Sequence, residues 1–370
     1  MKLVLFGDLH LDAHFAWLGV GQEAARRRRQ ALRDTLRNIL AVVHETQADA
    51  LLCSGDLYEH ERVSPDTAAF LRAIFEEIAP TPVFISPGNH DWFGPRSLYA
   101  HVLWSPNVHI FSDAQLTPCE LEEDLTLWGA AHRAPANTSN FFDGFSTQER
   151  SGVHLALVHA SEQSWWSNMA PTQQPHAPFR AEQIEEAGIT HALLGHLHTA
   201  KDAPSFTYPG NPDPLAFGER GTDRGAVLVT VHSDGSIERD RYRVAVTEVH
   251  DVEIDVTGCI SREEIRDRIR SAFSGFRGYV RACVRGEVEP SVELFPGDLR
   301  VTVPGIEDMV IDFNDVRVRY DLDGISKEPT VRGQFVRDVR QTTDVDEDER
   351  RRILVTGLRA LDGRSDLEVT

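Results

Sequence analysis

The sequence predicts an α/β fold, in which helices cover the faces of a β-sheet. Short runs rich in Val, Ile and Leu recur along the first 200 residues, and each is followed by turn residues, as buried strands are. Between the first of these runs lie segments with apolar residues at helical spacing. Strand and helix therefore alternate, which is typical of this fold class.

Each element of this pattern has a local signature. Strands are predicted at residues 2–7, 50–55, 82–86, 154–159 and 191–195. Helices are predicted at residues 22–46, with Leu32, Leu36, Ile39, Leu40 and Val43 on one face, and at residues 65–79, with Phe70, Leu71, Ile74, Phe75 and Ile78 on one face. Residues 226–231 and 237–246 flank a Ser-Asp-Gly-Ser turn and predict a β-hairpin that closes the first domain.

The pattern changes after this hairpin, and we predict three regions: residues 1–246, 247–330 and 331–370. Residues 249–256, 261–273 and 278–285 predict a β-α-β-like unit in a small second domain. In the tail, an acidic stretch at residues 344–349 precedes apolar residues and predicts a short helix with acids in its first turn, although Gly357 counts against it. That helix either packs on its own domain or docks a partner.

Composition limits the class of protein. The chain has 370 residues, 41% of them hydrophobic and 26% charged, with a mean hydropathy of -0.32, which is the balance of a folded globular protein. Because no apolar run approaches the roughly 18 residues needed to cross a bilayer, we expect neither a signal peptide nor a membrane anchor. The four cysteines are scattered, without the close pair of a zinc ribbon or a redox dithiol. A reducing compartment, the cytoplasm, fits best.

Charge argues against a protein that coats nucleic acid. The formal net charge is -20, which repels nucleic acid and anionic membranes at long range. The first 50 residues are the exception, with 7 basic and 6 acidic side chains. Arg26 to Arg29, Arg33 and Arg37 lie on the first predicted helix, where they either meet a DNA backbone or form a solvated surface. Trp165 and Trp166 either stack on an unpaired base or pack against the domain.

Five polar clusters follow predicted strands. They are Gly7-Asp8-Leu9-His10, Gly55-Asp56-Leu57-Tyr58, Gly88-Asn89-His90-Asp91, Val158-His159-Ala160 and Gly195-His196-Leu197-His198. The carboxyl ends of strands in an open α/β sheet form the crevice where ligands bind, so five such ends can converge on one site. One cluster alone is more often a turn of satisfied polar groups. Five in order, each at the end of a strand, favour a functional site.

The donor types predict a pair of metal ions. Carboxylate, amide and imidazole donors without thiolate suit manganese, iron or zinc-like ions. The predicted ligands are more numerous than one structural zinc ion requires: Asp8, His10, Asp56, Asn89, His159, His196 and His198. They suffice for two ions about 3.5 to 4 Å apart, and Asp56, in the middle of the order, is the natural bridge.

The charges of such a centre predict its substrate. Two divalent ions bring four positive charges and the carboxylates of Asp8 and Asp56 remove two, which leaves a surplus that attracts a phosphate. Such a pair binds a phosphate ester, lowers the pKa of a bridging water and stabilises charge on the attacking and leaving oxygens, so we predict hydrolysis of a P–O bond. We expect His90 to orient the phosphate or to protonate the leaving alkoxide, with Asp91 holding its tautomer.

The order of these blocks resembles the calcineurin-like metallophosphoesterase superfamily, whose pattern is Asp-x-His, Gly-Asp, Gly-Asn-His-Asp/Glu, His and Gly-His-x-His. The resemblance implies a four-layer fold, a two-sheet β sandwich flanked by helices. It also implies that Asp8, His10, Asp56 and His198 hold one metal, that Asp56, Asn89, His159 and His196 hold the other, and that His90 assists catalysis. The Ser/Thr phosphatase branch is disfavoured because the sequence lacks its Gly-Asp-x-Val-Asp-Arg-Gly block.

Within the superfamily, three features resemble the SbcD-type, YhaO-like DNA repair nucleases. They are Asp8-Leu9-His10-Leu11, Gly55-Asp56-Leu57-Tyr58, and Tyr208-Pro209-Gly210-Asn211-Pro212 followed by Phe217-Gly218-Glu219, in which Asn211 replaces the usual Ser. This resemblance covers residues 1 to about 245 and implies a manganese-dependent DNA exonuclease or endonuclease that works as a homodimer with an SbcC-like SMC-type ATPase. By position, residues 247–330 correspond to a small α/β capping domain that contacts DNA, and the tail to the segment that docks the ATPase.

Two other functions remain open from the sequence. A small-molecule phosphodiesterase, acting on cyclic nucleotides or similar esters, shares all five blocks. The residues after 247 and the Tyr-Pro-Gly-Asn segment favour the nuclease, because a small-substrate enzyme can dispense with both. The second alternative is a scaffold whose metal site has decayed, although no predicted ligand is missing.

Overall fold

The computed structural model describes residues 1–15, 22–147, 150–164, 175–219 and 223–363. Trp165 and Trp166 lie outside these ranges, so their predicted roles remain open. The chain divides into two compact units, Met1–Thr247 and Glu248–Thr370, here called unit 1 and unit 2. Within the described ranges, no helix has both the length and the apolar character needed to cross a membrane.

The described part of unit 1 contains twelve strands and four helices. In chain order the strands are β1 (Lys2–Phe6), β2 (Ala50–Cys53), β3 (Val83–Ile85), β4 (Val108–Ile110), β5 (Thr117–Glu122), β6 (Leu125–Gly129), β7 (Val153–His159), β8 (His191–Gly195), β9 (Lys201–Asp202), β10 (Phe206–Tyr208), β11 (Ala226–Val231) and β12 (Ile237–Tyr242). The helices are α1 (Gln22–Thr46), α2 (Pro65–Glu77), α3 (Leu98–His101) and α4 (Glu182–Glu186).

These strands form two six-stranded mixed sheets. The first has the order β12-β11-β1-β2-β3-β4, in which β1 to β4 are parallel and β11 pairs antiparallel with both β1 and β12. The second has the order β5-β6-β7-β8-β10-β9, with four parallel strands in the middle and an antiparallel strand at each edge. The predicted α/β class, with two sheets flanked by helices, is confirmed.

The sheets pack face to face because alternate residues of their strands meet in one apolar cluster. The cluster includes Leu3, Leu5 and Leu52 of the first sheet and Leu127, Leu155 and Leu157 of the second. Residues on the opposite face of the second sheet, such as Val158 and Leu194, pack with Ile184 of α4. On the other side of the sandwich, α1 contacts β1 and β11. The alternation follows from the two-residue period of a β-strand.

The strands predicted in unit 1 are present with small differences at their ends. Helix α1 has the predicted bounds, whereas α2 ends at Glu77, two residues early. The second strand of the hairpin stops at Tyr242, because the chain turns away so that the backbone N–H groups of Val246 and Thr247 donate to Asp213 at 2.9 and 3.0 Å. The strands that the pattern missed include edge strands β4, β5 and β9 and the three-residue β10. Strands β4, β9 and β10 have only two or three residues each, which is too short to show a clear period.

Unit 2 has a parallel sheet of its own. Its described elements are β13 (Val249–Asp255), α5 (Arg262–Ala272), β14 (Gly278–Val288), α6 (Pro296–Leu299), β15 (Ile306–Val318), α7 (Leu322–Ser326), α8 (Val331–Gln341) and α9 (Glu347–Leu361). The strand order is β13-β14-β15. Ile265 and Ile269 of α5 are buried in the same cluster as Val280 and Ala282 of β14. The β-α-β pattern over residues 249–285 is therefore present, and the sequence pattern missed β15.

The acidic stretch of the tail begins a helix, as its sequence predicts. Asp346 caps α9 by accepting from the N–H of Glu349, and three acids occupy the first turn. Leu354 and Leu358 of α9 lie in one buried cluster with Val336 of α8. This apolar face of α9 is therefore packed within unit 2.

Candidate metal centre

The segments that follow β1 and β2 continue side by side past the ends of the strands. The N–H of Asp8 donates to the carbonyl of Gly55, and the N–H of His10 donates to the carbonyl of Asp56, both at 2.9 Å. These hydrogen bonds hold the side chains of both clusters at the carboxyl end of the first sheet, as the open-sheet argument predicts.

A second set of hydrogen bonds joins the two sheets at this point. The carboxylate of Asp8, after β1, accepts from the N–H of His196, after β8, with both oxygens 3.0 Å from the nitrogen. Nδ1 of His159, at the end of β7, lies 2.9 Å from the carbonyl oxygen of Ser54, which follows β2. Clusters from both sheets therefore meet in one site.

Four of these side chains are aimed by an unusual backbone conformation. Asp8, His10, Asp56 and His196 have φ angles of 54°, 51°, 52° and 100°, in the left-handed region that L-residues rarely adopt. Each such residue costs about 1–3 kcal/mol and persists where the surrounding structure over-determines it, which is a feature of functional sites. The neighbouring Gly195 is required by close approach, because a Cβ there would collide with the carbonyl oxygen of Ser54.

Asp56 lies at the centre of the donor groups. Its Oδ2 is 3.1 Å from Nε2 of His159 and 3.7 Å from Nε2 of His10, and only 2% of the residue is exposed. Three groups of potential ligands have donor atoms within 4.8 Å of one another: Asp8, His10 and His198; His10, Asp56 and His90; and Asp8, Asp56 and His159. Shared members link the groups, so the donors surround one continuous space.

The other two predicted ligands lie next to His159. Oδ1 of Asn89 is 3.0 Å from Nε2 of His159, and the ring centroid of His196 is 5.2 Å from that of His159. The structure thus brings all seven predicted ligands to one place. His196 belongs to none of the three close groups formed by the described residues.

The histidines are arranged as metal ligands usually are. Nε2 of His10 is buried and has no hydrogen-bond partner among the described residues, while its Nδ1 lies 2.7 Å from Oε1 of Glu59. An unsatisfied buried nitrogen costs about 1–3 kcal/mol unless a ligand takes its lone pair. Metal-bound histidines commonly hold their second nitrogen against a carboxylate or a carbonyl. The donor set therefore fits divalent metal ions.

His198 is held in the same way by a residue that we did not assign to the site from the sequence. Its Nδ1 lies 3.2 Å from Oε1 of Glu219. The side-chain amide of Asn211 donates to Oε2 of Glu219 at 2.6 Å, and Arg224 donates to the same oxygen at 3.0 Å. The segment that contains Asn211 and Glu219 thus supports a predicted metal ligand. It therefore serves the metal site itself and does not distinguish a nuclease from a small-substrate enzyme.

Asp91, which we predicted to hold the tautomer of His90, is engaged by other groups in the structure. Its two carboxylate oxygens accept from the backbone N–H groups of Asp56, Leu57 and Gly88 and from the hydroxyl of Tyr99, at 2.5–3.1 Å. Burial, followed by the charge of Asp56, raises the pKa of Asp91 to about 6. Asp91 therefore joins the segment that follows β2 to the segment that follows β3, because its carboxylate accepts from backbone N–H groups of both.

His90 is oriented by Glu59 instead. Its Nδ1 lies 3.0 Å from Oε2 of Glu59, and its side chain is 45% exposed. Burial would lower the pKa of His90, but the hydrogen bond to Glu59 and the charge of Asp56 outweigh it and raise the pKa to about 9. Divalent cations nearby would oppose this rise. His90 is therefore placed at the open side of the site, where it can meet a substrate.

Two of the buried donors already have the charge state that metal binding needs, and a third must first lose a proton. At Asp56, burial is outweighed by the charges of His159 and His10, which hold its pKa well below the usual range. At His196, burial and then the charge of His159 hold the pKa well below the usual range, so the ring is neutral. At His159, the charge of Asp56 overcomes burial and raises the pKa to about 9, so a metal must displace a proton there.

Two further histidines line the site. The ring centroid of His176 lies 5.3 Å from that of His196. Nε2 of His132 lies 2.6 Å from the carbonyl oxygen of His159, and its Nδ1 lies 2.8 Å from the hydroxyl oxygen of Thr138. Neither histidine belongs to a Gly-Asp or Gly-His block, so no sequence motif marks their place at the site.

The chain is similar in sequence to known phosphoesterases. The family model described as calcineurin-like phosphoesterase matches residues 1–200, which contain all seven predicted ligands. The chain is 24% identical over 281 residues to the uncharacterized metallophosphoesterase YhaO of Bacillus subtilis, covering 73% of this chain and 67% of that protein. It is 25% identical over 296 residues to the DNA double-strand break repair protein Mre11 of Methanopyrus kandleri, covering 73% of this chain and 62% of that protein. Among solved structures, Yfce, a phosphoesterase from E. coli, matches 65% of this chain and 99% of its own, with 14% identity and a TM-score of 0.27.

Proposed function

The chain belongs to the calcineurin-like phosphoesterase family, and on that premise we propose that it is a manganese-dependent DNA nuclease of DNA repair. It is a metallophosphoesterase, a hydrolase of phosphoester bonds. The proposal adds that the bond is a phosphodiester of DNA, cut as an exonuclease or endonuclease with two metal ions. The observation that carries the hydrolytic mechanism is the convergence of buried carboxylates and an unpaired imidazole nitrogen around Asp56.

Each residue has a role in this proposal. Asp8, His10, Asp56 and His198 would hold one ion, and Asp56, Asn89, His159 and His196 the other. When bound, such ions bind and polarise the phosphate and make water nucleophilic near neutral pH. His90, fixed by Glu59, orients the phosphate or donates a proton to the leaving oxygen. Burial of the acids and histidines excludes bulk water, which strengthens these interactions.

DNA as the substrate is supported by two observations. One of the relatives reported above is named as a DNA double-strand break repair protein, although the match covers 62% of that relative. In addition, unit 2 forms a separate compact body with its own sheet, and none of the predicted ligands lies in it. In the proposal, unit 2 is the capping domain that grips DNA.

A small-molecule phosphodiesterase is the second candidate, and one observation favours it. The seven ligands and the carboxylates that orient them, Glu59 and Glu219, all belong to unit 1. The hydrolytic centre is therefore complete without the second unit. Both candidates require the same metal chemistry and differ in the size of the substrate.

The deciding experiment compares substrates of different size in one preparation. The purified chain is freed of metal, supplied with Mn²⁺, and incubated with end-labelled single-stranded and duplex DNA, with a cyclic nucleotide and with bis(p-nitrophenyl) phosphate. We expect Mn²⁺-dependent cleavage of DNA, with no activity in an Asp56→Ala variant. Cleavage of the two small esters alone would replace the nuclease with the second candidate. Absence of all cleavage would favour a non-catalytic scaffold.

A truncation tests the role of unit 2. A chain that ends at Thr247 keeps the hydrogen bond from the N–H of Thr247 to Asp213, so unit 1 retains its last contact. We expect this chain to lose much more DNA cleavage than hydrolysis of bis(p-nitrophenyl) phosphate. An equal loss of both activities would leave unit 2 with a structural role only.

The partners are also part of the proposal. We expect a homodimer that acts in the cytoplasm with an SbcC-like SMC-type ATPase, which supplies much of the DNA grip of the complex. The four free cysteines agree with a reducing compartment. Light scattering of the purified chain, alone and after co-expression with an SMC-type ATPase from the same genome, tests both assemblies. A monomer that does not change mass with the ATPase would contradict them.

A further inference from the structure

A groove rich in arginine lies in unit 1 between α1 and the start of α2. Four arginines, Arg26, Arg29, Arg33 and Arg62, and two aspartates line a cavity of about 490 Å³, here called the arginine groove. The excess of positive charge is notable in a chain whose formal net charge is -20. Like charges gathered in one cavity repel one another, and a bound anion relieves that repulsion.

Both aspartates of the groove are already engaged. Asp66 pairs with Arg33 at 2.6 Å. Oδ2 of Asp12 accepts from the N–H of Ser64 at 3.1 Å and from the hydroxyl of Thr67 at 2.6 Å, so it caps the start of α2. The two carboxylates offset two of the four guanidinium charges, so the groove keeps an excess of positive charge.

The remaining arginines have no acidic partner within the part of the chain that is described. Arg26 and Arg29, one turn apart on α1, and Arg62 from the facing loop form no ion pair or side-chain hydrogen bond there. Their neighbours on α1 differ: Arg27 pairs with Glu23 at 3.2 Å, and Arg28 is buried against Asp213. Three of the four arginines that line the groove therefore have no acidic partner among the described residues, and Arg33 is the fourth.

The walls of the groove continue from the metal centre. Asp12 lies two residues after His10, and Arg62 lies three residues after Glu59, with its N–H donating to the Glu59 carbonyl at 3.0 Å. Two or three residues span at most about 7–11 Å. One strand of duplex DNA presents a phosphate every ~3.4 Å along the helix axis. The edge of the groove formed by Asp12 and Arg62 thus lies within about two or three nucleotides of the metal centre.

We propose that the arginine groove binds the phosphodiester backbone of a nucleic-acid strand, two or three nucleotides from the bond cut at the metal centre. This inference rests on the proposed nuclease function. Guanidinium groups bind phosphate oxygens in pairs through charge-assisted hydrogen bonds, which makes arginine suited to this task. Contacts to the backbone position a strand without reading its sequence. A small diester is too short to reach both the metal centre and the groove.

The test compares two substrates in matched variants. Arg26→Gln/Arg29→Gln and Arg62→Gln remove charge from the groove, and Arg27→Gln removes the same charge from the adjacent position on α1, outside the groove. For each chain, kcat/KM is measured with Mn²⁺ on a labelled twelve-nucleotide oligo(dT) and on bis(p-nitrophenyl) phosphate. We expect the ratio of the two values to fall about tenfold in the double variant, through KM for the oligonucleotide, and to keep its native value in Arg27→Gln.

Salt dependence gives a second readout that a merely structural defect would not move. Each phosphate contact to a single strand contributes about 0.7 to the slope of log affinity against log salt concentration. The double variant should therefore show a shallower slope than the native chain, whereas Arg27→Gln should not. Thermal unfolding, followed by tryptophan fluorescence, confirms that the variants are folded.

The outcomes separate this inference from the proposed function. If the native chain cleaves the oligonucleotide and the ratio is unchanged in the groove variants, the groove is not a strand-binding site, and the nuclease function stands. Fluorescence anisotropy with the same oligonucleotide in EDTA measures binding without cleavage. The native chain could bind the oligonucleotide in EDTA without cutting it in Mn²⁺, while the double variant binds about tenfold more weakly. That result would support the groove as a strand-binding site and contradict the nuclease function. Equal binding by all variants would overturn the groove.

Discussion

Oε1 of Glu59 lies 2.7 Å from Nδ1 of His10, a contact between residues 49 positions apart in the sequence. The second oxygen of the same carboxylate lies 3.0 Å from Nδ1 of His90. Burial would raise the pKa of Glu59, but its hydrogen bonds to the two histidines outweigh burial and lower the pKa to about 2. One charged carboxylate therefore positions both a predicted metal ligand and the proposed catalytic histidine.

Replacing this carboxylate should weaken metal binding and catalysis together. In Glu59→Gln, the amide has one accepting oxygen and no charge, so it cannot fix both imidazole rings. We expect metal affinity and kcat on bis(p-nitrophenyl) phosphate to fall about 10–100-fold, as is usual for residues that orient metal ligands. Metal content after dialysis against a Mn²⁺ buffer and steady-state kinetics measure the two effects. Glu61→Gln, an exposed position two residues away, is the control, and an equal effect in both variants would contradict the assignment.

Variants of His90 and Asp56 should have different effects on metal binding, although both should lose catalytic activity. Asp56 is buried among three histidines, whereas His90 is half exposed. His90→Ala should retain both ions and lose about 10²–10⁴-fold in kcat, the range for a proton-transfer group. Asp56→Ala should lose metal as well as activity. Metal analysis beside single-turnover cleavage measures this, and equal metal loss in the two variants would show that His90 is a ligand.

A buried histidine far from the metal centre should make unit 1 sensitive to acid. His191 is 0% exposed, with Nε2 2.9 Å from the hydroxyl oxygen of Thr207. Burial and then the charge of Arg239 lower its pKa to about 4. The unfolded chain, with a histidine pKa of about 6.5, therefore binds more protons than the folded chain between about pH 6.5 and 4. Stability from this residue is complete above about pH 6.5 and falls by roughly 3 kcal/mol as the pH approaches 4.

Urea unfolding at several pH values tests whether the stability of unit 1 falls as the pH falls. All six tryptophans belong to unit 1, so their fluorescence follows the unfolding of that unit. Relative to His191→Gln, which has no titrating ring, the native chain should lose free energy of unfolding as the pH falls from 6.5 to 4. Parallel curves for the two chains would show that His191 titrates normally in the folded state.

Adjacent arginines of α1 should contribute very differently to the free energy of unfolding. Nη1 of Arg28 donates to Oδ1 of Asp213 at 2.8 Å, and both side chains are 0% exposed. Arg28→Met leaves the carboxylate of Asp213 buried without its partner, which typically costs about 3–5 kcal/mol. Arg27→Met removes an exposed pair with Glu23 and should cost less than about 1 kcal/mol. Urea unfolding measures both, and similar losses would contradict the burial argument.

The same run shows where sequence reasoning reaches its limit. The apolar stripe of α1 predicted its bounds, because 25 residues give the helical period enough repeats to be clear. From the sequence, DNA contact and solvated surface could not be distinguished for Arg26 to Arg29, because their surroundings differ only after folding. Arg28 is buried against the distant Asp213, Arg27 pairs with Glu23 on the same helix, and Arg26 and Arg29 line the arginine groove. Strand β15 was missed because its 13 residues alternate incompletely, since only three of them are buried.

Part of the candidate site could be predicted from the sequence and part could not. The clusters after β1, β2, β7 and β8 were predictable because strand ends converge by geometry. The groups that orient them were not, because Glu219 and His198, or Glu59 and His10, become neighbours only after folding. The contacts of Asp91 were likewise not predictable, because its carboxylate accepts from backbone N–H groups of two other segments and from the hydroxyl of Tyr99. The assignment of ligands to each metal remains a prediction.

Gly357, which counts against a helix in the sequence, is explained by the packing of α9 on α8. A Cβ at this position would collide with the ring of Phe335. On an isolated helix, Gly357→Ala would gain about 1 kcal/mol in helix propensity. Here we expect it to destabilise unit 2 by about 1–3 kcal/mol, because overpacking a close contact outweighs that gain.

A double variant makes this last prediction specific. Phe335→Leu removes the ring that Gly357→Ala would strike, so Gly357→Ala should be less damaging in the Phe335→Leu background than alone. Hydrogen exchange of the amides of α8 and α9 measures the local free energy in the full chain, since unit 2 contains no tryptophan. If Gly357→Ala slows exchange in the native background, helix propensity dominates at this position and the close contact between α8 and α9 has little energetic weight.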